Sequence, residues 1–131
     1  MNIQELKKRA LLYDLIPQAK QEMLKHAEFT EDSYFRKQIH VDDDLEIVLV
    51  CFKSGQKSPK HDHGDSNCVV HCLQGTMHEI LYALDGKHHE NDLCEGGIQA
   101  VPVKWSHYVE NISGNSAVLL NFYSPPLKMN V

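Results

Sequence analysis

The spacing of apolar residues changes near residue 30 of this 131-residue chain. Before that point, Ile3, Leu6, Ala10, Leu11 and Leu15 recur with helical spacing and form one apolar stripe. Pro17 suits the first turn of a second helix, with Ala19, Met23 and Leu24 on its buried side. Residues 1–28 are therefore expected to be helical and to pack against or cap the remainder. After Thr30, short apolar runs alternate with turn signals. Candidate strands cover 34–41, 45–52, 68–73, 77–84, 98–103, 108–112 and 117–123. Between them lie Asp42-Asp43-Asp44, Ser54-Gly55, Gln74-Gly75, Asp85-Gly86, Gly96-Gly97 and Ser113-Gly114-Asn115. The run LEIVLVCF at 45–52 reads as a central strand, and His88-His89 as part of a solvated loop. Short strands with regular Gly or Asp turns indicate an all-β antiparallel sandwich or barrel. No repeat or linker divides the chain, and 1–131 is expected to be a single domain.

Charge narrows the partners. Thirteen Lys and Arg against eighteen Asp and Glu give a formal charge of -5. Such a surface repels phosphate backbones, so no nucleic-acid partner is expected. The longest apolar run is too short to span a bilayer, and MNIQELKKRA has no apolar signal core. A cytoplasmic protein with four reduced cysteines, Cys51, Cys68, Cys72 and Cys94, is the expectation.

The nine histidines change the picture more, because neutral imidazole is the commonest metal ligand. His61 and His63 stand two apart. On a strand, such residues face the same side about 6 to 7 Å apart and can chelate one ion. A lone His-x-His pair also occurs by chance on surface strands. His26, His40, His71, His78, His88 and His89 read as surface residues or polar partners. Cys51, Cys72 and Cys94 read as small hydrophobes.

The surroundings of the pair are more specific. Gly55, five residues, His61-Asp62-His63, four residues, Cys68, six residues and Gly75 resemble the first motif of the cupin superfamily, with Cys where that motif has Glu. Gly96, five residues, Pro102, His107 and Asn111 resemble the second, with Lys104 where Gly is usual. The resemblance implies a cupin-type jelly-roll barrel over 34–126 with short N-terminal helices. His61, His63 and His107 would point into it, leaving open coordination positions, as catalytic metal sites do.

HDHGDSNC (61–68), LQG (73–75), HYVEN (107–111), FYSPP (122–126) and YFR (34–36) resemble the cysteine dioxygenases of the thiol dioxygenase group. That resemblance implies Fe(II) on His61, His63 and His107. Arg36 would pair with the substrate carboxylate, a chemistry suited to a planar guanidinium, and Tyr34 would line the pocket. Tyr123 would hold its hydroxyl near the reacting atoms, beside Cys68, with which some members form a thioether. Ser124-Pro125 would be cis, as in the family. The implied reaction joins both atoms of O2 to the sulfur of L-cysteine and yields cysteine sulfinate. Where mammalian-type members carry a Ser and His relay to the tyrosine, this chain has Leu119 and Asn121. Alternatives are a carboxylate thiol without the amine, such as 3-mercaptopropionate, or a non-catalytic metal-binding cupin. The partners are then a small thiol and O2, and the assembly a monomer or small homo-oligomer.

Overall fold

The computed structural model describes residues 1–127. Two helices, α1 (Ile3–Leu15) and α2 (Pro17–Leu24), precede nine strands. Asn2 caps α1: its side chain accepts from the Glu5 amide, and the Glu5 carboxylate accepts from the Asn2 amide. This reciprocal pair satisfies two helix-end donors. Pro17 opens α2, where its missing N–H costs nothing.

The strands are β1 (Phe35–Val41), β2 (Glu46–Phe52), β3 (Lys57–Asp62), β4 (Asn67–Gln74), β5 (Thr76–Tyr82), β6 (His88–Cys94), β7 (Ile98–Val101), β8 (Ser106–Glu110) and β9 (Ala117–Ser124). They form two antiparallel sheets, ordered β1-β2-β9-β4-β7 and β3-β8-β5-β6. Facing each other, these make the jelly-roll barrel that the cupin resemblance implies.

The two sheets carry different sequence patterns for a physical reason. The five-stranded sheet is covered on both faces, so every residue of β2 and β9 is buried. Val48, Val50, Phe52, Ala117, Leu119 and Tyr123 face the barrel interior. Ile47, Leu49, Cys51, Val118, Leu120 and Phe122 face outward, under Leu6, Ala10 and Met23 of the helices. The four-stranded sheet has water on its outer side, so β5 and β8 alternate strictly in burial. Their inward residues are Met77, Glu79 and Leu81, and His107 and Val109.

Three local features place the site. Gly75, at φ 82°, carries the chain from β4 to β5 across the two sheets. A Cβ there would lie 2.7 Å from the Ser116 carbonyl oxygen, so only glycine fits. Lys104, where the second motif usually has glycine, adopts φ 67° before β8. The Ser124-Pro125 peptide is cis.

Strand β6 lies outside the sequence-based expectation, and β3, expected only as the strand under the His61 and His63 pair, ends at Asp62 before the second histidine. The expected loop at His88-His89 opens β6, an exposed edge strand. Cys94 is exposed rather than packed. His71 is fully buried, and its ring meets Asp14 of α1 at 3.0 Å.

Candidate metal centre

His61 lies on β3 and His107 on β8, directly opposite in register. His63 follows β3 by one residue. The three rings pack edge to face with centroids 4.6 to 4.9 Å apart. One nitrogen from each lies within 4.8 Å of the others. A strand interrupted by a register shift between Ser58 and His61 thus brings the pair to the inside of the barrel.

The hydrogen bonds fix which nitrogens face inward. His61 Nδ1 lies 2.7 Å from the Pro59 carbonyl oxygen, so it carries the proton and donates. His107 Nδ1 lies 2.9 Å from Oε2 of Glu79 and donates likewise. Each Nε2 is then a bare lone pair, and the two stand 3.2 Å apart. Neither nitrogen of the buried His63 has a hydrogen-bond partner among the described residues. Lone pairs facing each other, and a buried imidazole with neither nitrogen bonded, are costly unless a cation takes them up. Two nitrogens about 2.1 Å from one ion at near right angles lie roughly 3 Å apart. The residues therefore fit a metal ion.

Electrostatics agree. Burial, helped by the neighbouring rings, lowers the pKa of both His63 and His107 to about 3. Both are neutral near pH 7, the form that coordinates metals. Burial pushes the Glu79 carboxyl up to about 7 in the metal-free site.

Beside the triad a cleft is lined by Tyr34, Arg36, Ser58, Asn121 and Tyr123, with Val50, Phe52, Val109 and Leu119 as apolar wall. Even with its solvent-open mouth included it encloses only about 310 Å³, the small end for ligand clefts. Arg36 is exposed at the rim, yet its charge acts on His63, Cys68 and Tyr123. Tyr34 stacks on Phe52 at 5.1 Å. Tyr123 lies 5.2 Å from His63, ring to ring. Its hydroxyl accepts from Nδ2 of Asn121 at 3.0 Å. Burial holds the Tyr123 phenol well above its usual range.

Cys68 pairs with Tyr123 across β4 and β9. It does not line the cleft but lies fully buried behind it. Burial pushes its thiol well above the ordinary cysteine value. Trp105 packs against the barrel core and is likewise absent from the cleft lining. Sequence reasoning missed Glu79 and Ser58. The parity of β5 would have exposed Glu79: with Met77 and Leu81 inside, a glutamate between them at 79 must also face in.

The family model of cysteine dioxygenase type I matches residues 2–130. The chain belongs to the cysteine dioxygenase type I family. It is 31% identical to cysteine dioxygenase type 1 of Bos taurus, covering 96% of this chain and 66% of the relative. The Danio rerio protein of that name is 27% identical, over 98% of this chain and 68% of the relative. The chain thus spans about two-thirds of the length of these relatives. Among solved structures, an RmlC-like cupin protein from Desulfovibrio desulfuricans matches with TM-score 0.65 and 20% identity. That match covers 79% of this chain and 92% of the other. A Thermus thermophilus protein matches with TM-score 0.71 and 21% identity, covering 79% and 93%. These two neighbours speak for the cupin fold alone.

Proposed function

We propose that this member of the family is an Fe(II)-dependent dioxygenase that converts L-cysteine and O2 to cysteine sulfinate. The observation that carries this reading is a three-histidine cluster opening onto a small cleft that also holds Arg36 and Tyr123. The reaction balances as R–SH plus O2 giving R–SO2H, with both oxygen atoms on sulfur. His61, His63 and His107 would hold the iron. Bound there, the ferrous ion would supply the place where a thiolate and dioxygen combine.

The remaining roles belong to the chain. Arg36 at the rim pairs with the substrate carboxylate and fixes which end of the molecule points inward. The apolar wall and stacked Tyr34 keep bulk water from the reacting sulfur. Asn121 donates to Tyr123 Oη, so the tyrosine's own proton is directed elsewhere, to an acceptor in the cleft. Tyr123 remains protonated through the neutral range and serves as a hydrogen-bond donor. Cys68, its cross-strand neighbour, would be the partner in a thioether of the kind some members form.

One observation favours a second substrate reading. No acidic side chain lines the cleft among the described residues, so a substrate ammonium meets no opposite charge. Amine-free thiols such as 3-mercaptopropionate satisfy the same Arg36 contact. We place the protein in the cytoplasm as a monomer or small homo-oligomer, a setting consistent with its free cysteines. No helix among the described residues is long and apolar enough to cross a membrane.

The test is anaerobic loading with Fe(II), then a thiol panel under O2 with oxygen uptake and sulfinate detection. Cysteine turnover one-to-one with O2 is expected. Preferred turnover of 3-mercaptopropionate selects the second substrate. Iron bound at full occupancy with no turnover of any small thiol refutes the enzyme reading and leaves a metal-binding cupin.

A further inference from the structure

Three neutral imidazoles contribute no charge to offset a dication. The position at which the first cupin motif places a glutamate is held by Cys68, whose thiol burial keeps protonated. The ligand set is therefore one negative charge short of the two-histidine, one-carboxylate arrangement.

A carboxylate nevertheless stands directly behind it. Glu79 has no solvent exposure and faces the barrel interior between Met77 and Leu81. Its strand neighbour on β8 is Val109, and His107 lies diagonally across. Oε2 accepts from His107 Nδ1, and Oε1 has no partner among the described residues. An acidic group placed in such apolar surroundings costs several kcal/mol unless something compensates it, so packing gives no reason for it. The backing of the three rings is unequal. His61 donates to a neutral carbonyl, His63 makes no hydrogen bond, and His107 donates to a carboxylate.

We propose that Glu79 is a positioning residue that supplies, through the His107 ring, the negative charge that the ligands themselves lack. Its hydrogen bond fixes the proton on Nδ1, leaves Nε2 as the donor, and makes that donor the most electron-rich of the three. With a dication on the far side of the ring, the anionic carboxylate is the favoured form. The inference rests on the metal centre of the proposed function, but not on which thiol is oxidised.

The experiment separates charge from geometry. Glu79→Gln keeps an oxygen acceptor and the side-chain volume but removes the charge. Glu79→Ala removes all three. For each variant, Fe(II) affinity is measured anaerobically against a competing chelator. The Fe(III)/Fe(II) midpoint potential is measured by spectroelectrochemistry, and circular dichroism checks the metal-free fold. Glu79→Gln is expected to stay folded, to bind Fe(II) roughly 10- to 100-fold more weakly and to show a more positive potential. Wild-type affinity and potential in Glu79→Gln overturn the proposal. If only Glu79→Ala is impaired, the residue merely orients the ring, and the charge role is again overturned. Failure of the wild-type protein to bind iron would instead count against the proposed function.

Discussion

Replacing Asn121 with leucine should move stability and activity in opposite directions. Asn121 lies in the inward row of β9 between Leu119 and Tyr123. Its cross-strand neighbours are Val48 and Val70, so its surroundings are apolar apart from Tyr123 and the side that opens on the cleft. Nδ2 donates to Tyr123 Oη at 3.0 Å, while Oδ1 is buried without a partner among the described residues. An unpaired buried acceptor costs about 1–3 kcal/mol, and an ordinary hydrogen bond contributes about 1 kcal/mol. Leucine has the same branched shape, removes the orphan oxygen and packs against the two valines, its greater bulk projecting into the cleft. The phenol loses one donor but still faces a polar cleft. The sum favours Asn121→Leu by about 1 kcal/mol, or roughly 4 °C in melting temperature for a chain of this size. Activity should fall, because nothing then fixes the direction in which Tyr123 presents its proton; a positioned donor is worth about 10²-fold or more in kcat. Urea unfolding of the metal-free protein gives the first quantity, and oxygen uptake by the iron-loaded protein the second. A variant destabilised by more than about 2 kcal/mol would show that Oδ1 is satisfied after all. Unchanged kcat would show that Asn121 does not position the tyrosine.

Other consequences follow from the same site. Arg36→Lys should raise KM for carboxylate-bearing thiols about tenfold, because the paired N–H contact is lost; it should leave a carboxylate-free aminothiol such as cysteamine unchanged, and equal loss for both would exclude a carboxylate contact. Metal-free stability should fall as pH drops from about 6.5 towards about 4.5. His63 and His107, with folded pKa values near 3, take up protons only on unfolding in that window. Glu79, raised to about 7, gains its proton in the folded state and opposes one of them. The net of one extra proton in the unfolded state gives a slope of roughly 1.4 kcal/mol per pH unit, and a flat profile in urea titrations would refute it. Lys104→Gly should stabilise by about 0.5–1 kcal/mol, because φ 67° disfavours a residue with a Cβ; a lowered melting temperature would contradict this.

How much of this is legible in the sequence depends on burial. LEIVLVCF announces β2 because both faces of its sheet are covered and every position but Glu46 is apolar. β6 stays hidden, and β3 shows only through its histidine pair, because KSPKHD buries only Ser58, and HHENDLC only Leu93. A strand with one inward side chain leaves no period to read. The three histidines are legible because a metal site constrains spacing, even across two motifs 44 residues apart in the chain from His63 to His107. Glu79 is legible only by parity, since a lone glutamate in MHEILY says nothing until Met77 and Leu81 fix the face it occupies. Lys104 reads in the sequence only as a departure from a motif. Its positive φ supplies the reason why glycine is usual there.

The double covering of β9 has one more consequence. Val118, Leu120 and Phe122 belong to the helix-side core, and Leu119, Asn121 and Tyr123 to the cleft. Deleting a single residue early in this strand would exchange the two sets, turning Phe122 towards the histidines and Tyr123 towards α1. Both cores would have to fail for that to occur. The N-terminal helices, which contribute nothing to the cleft lining, thus act as a frame-keeper for the chemistry on the far side of the strand.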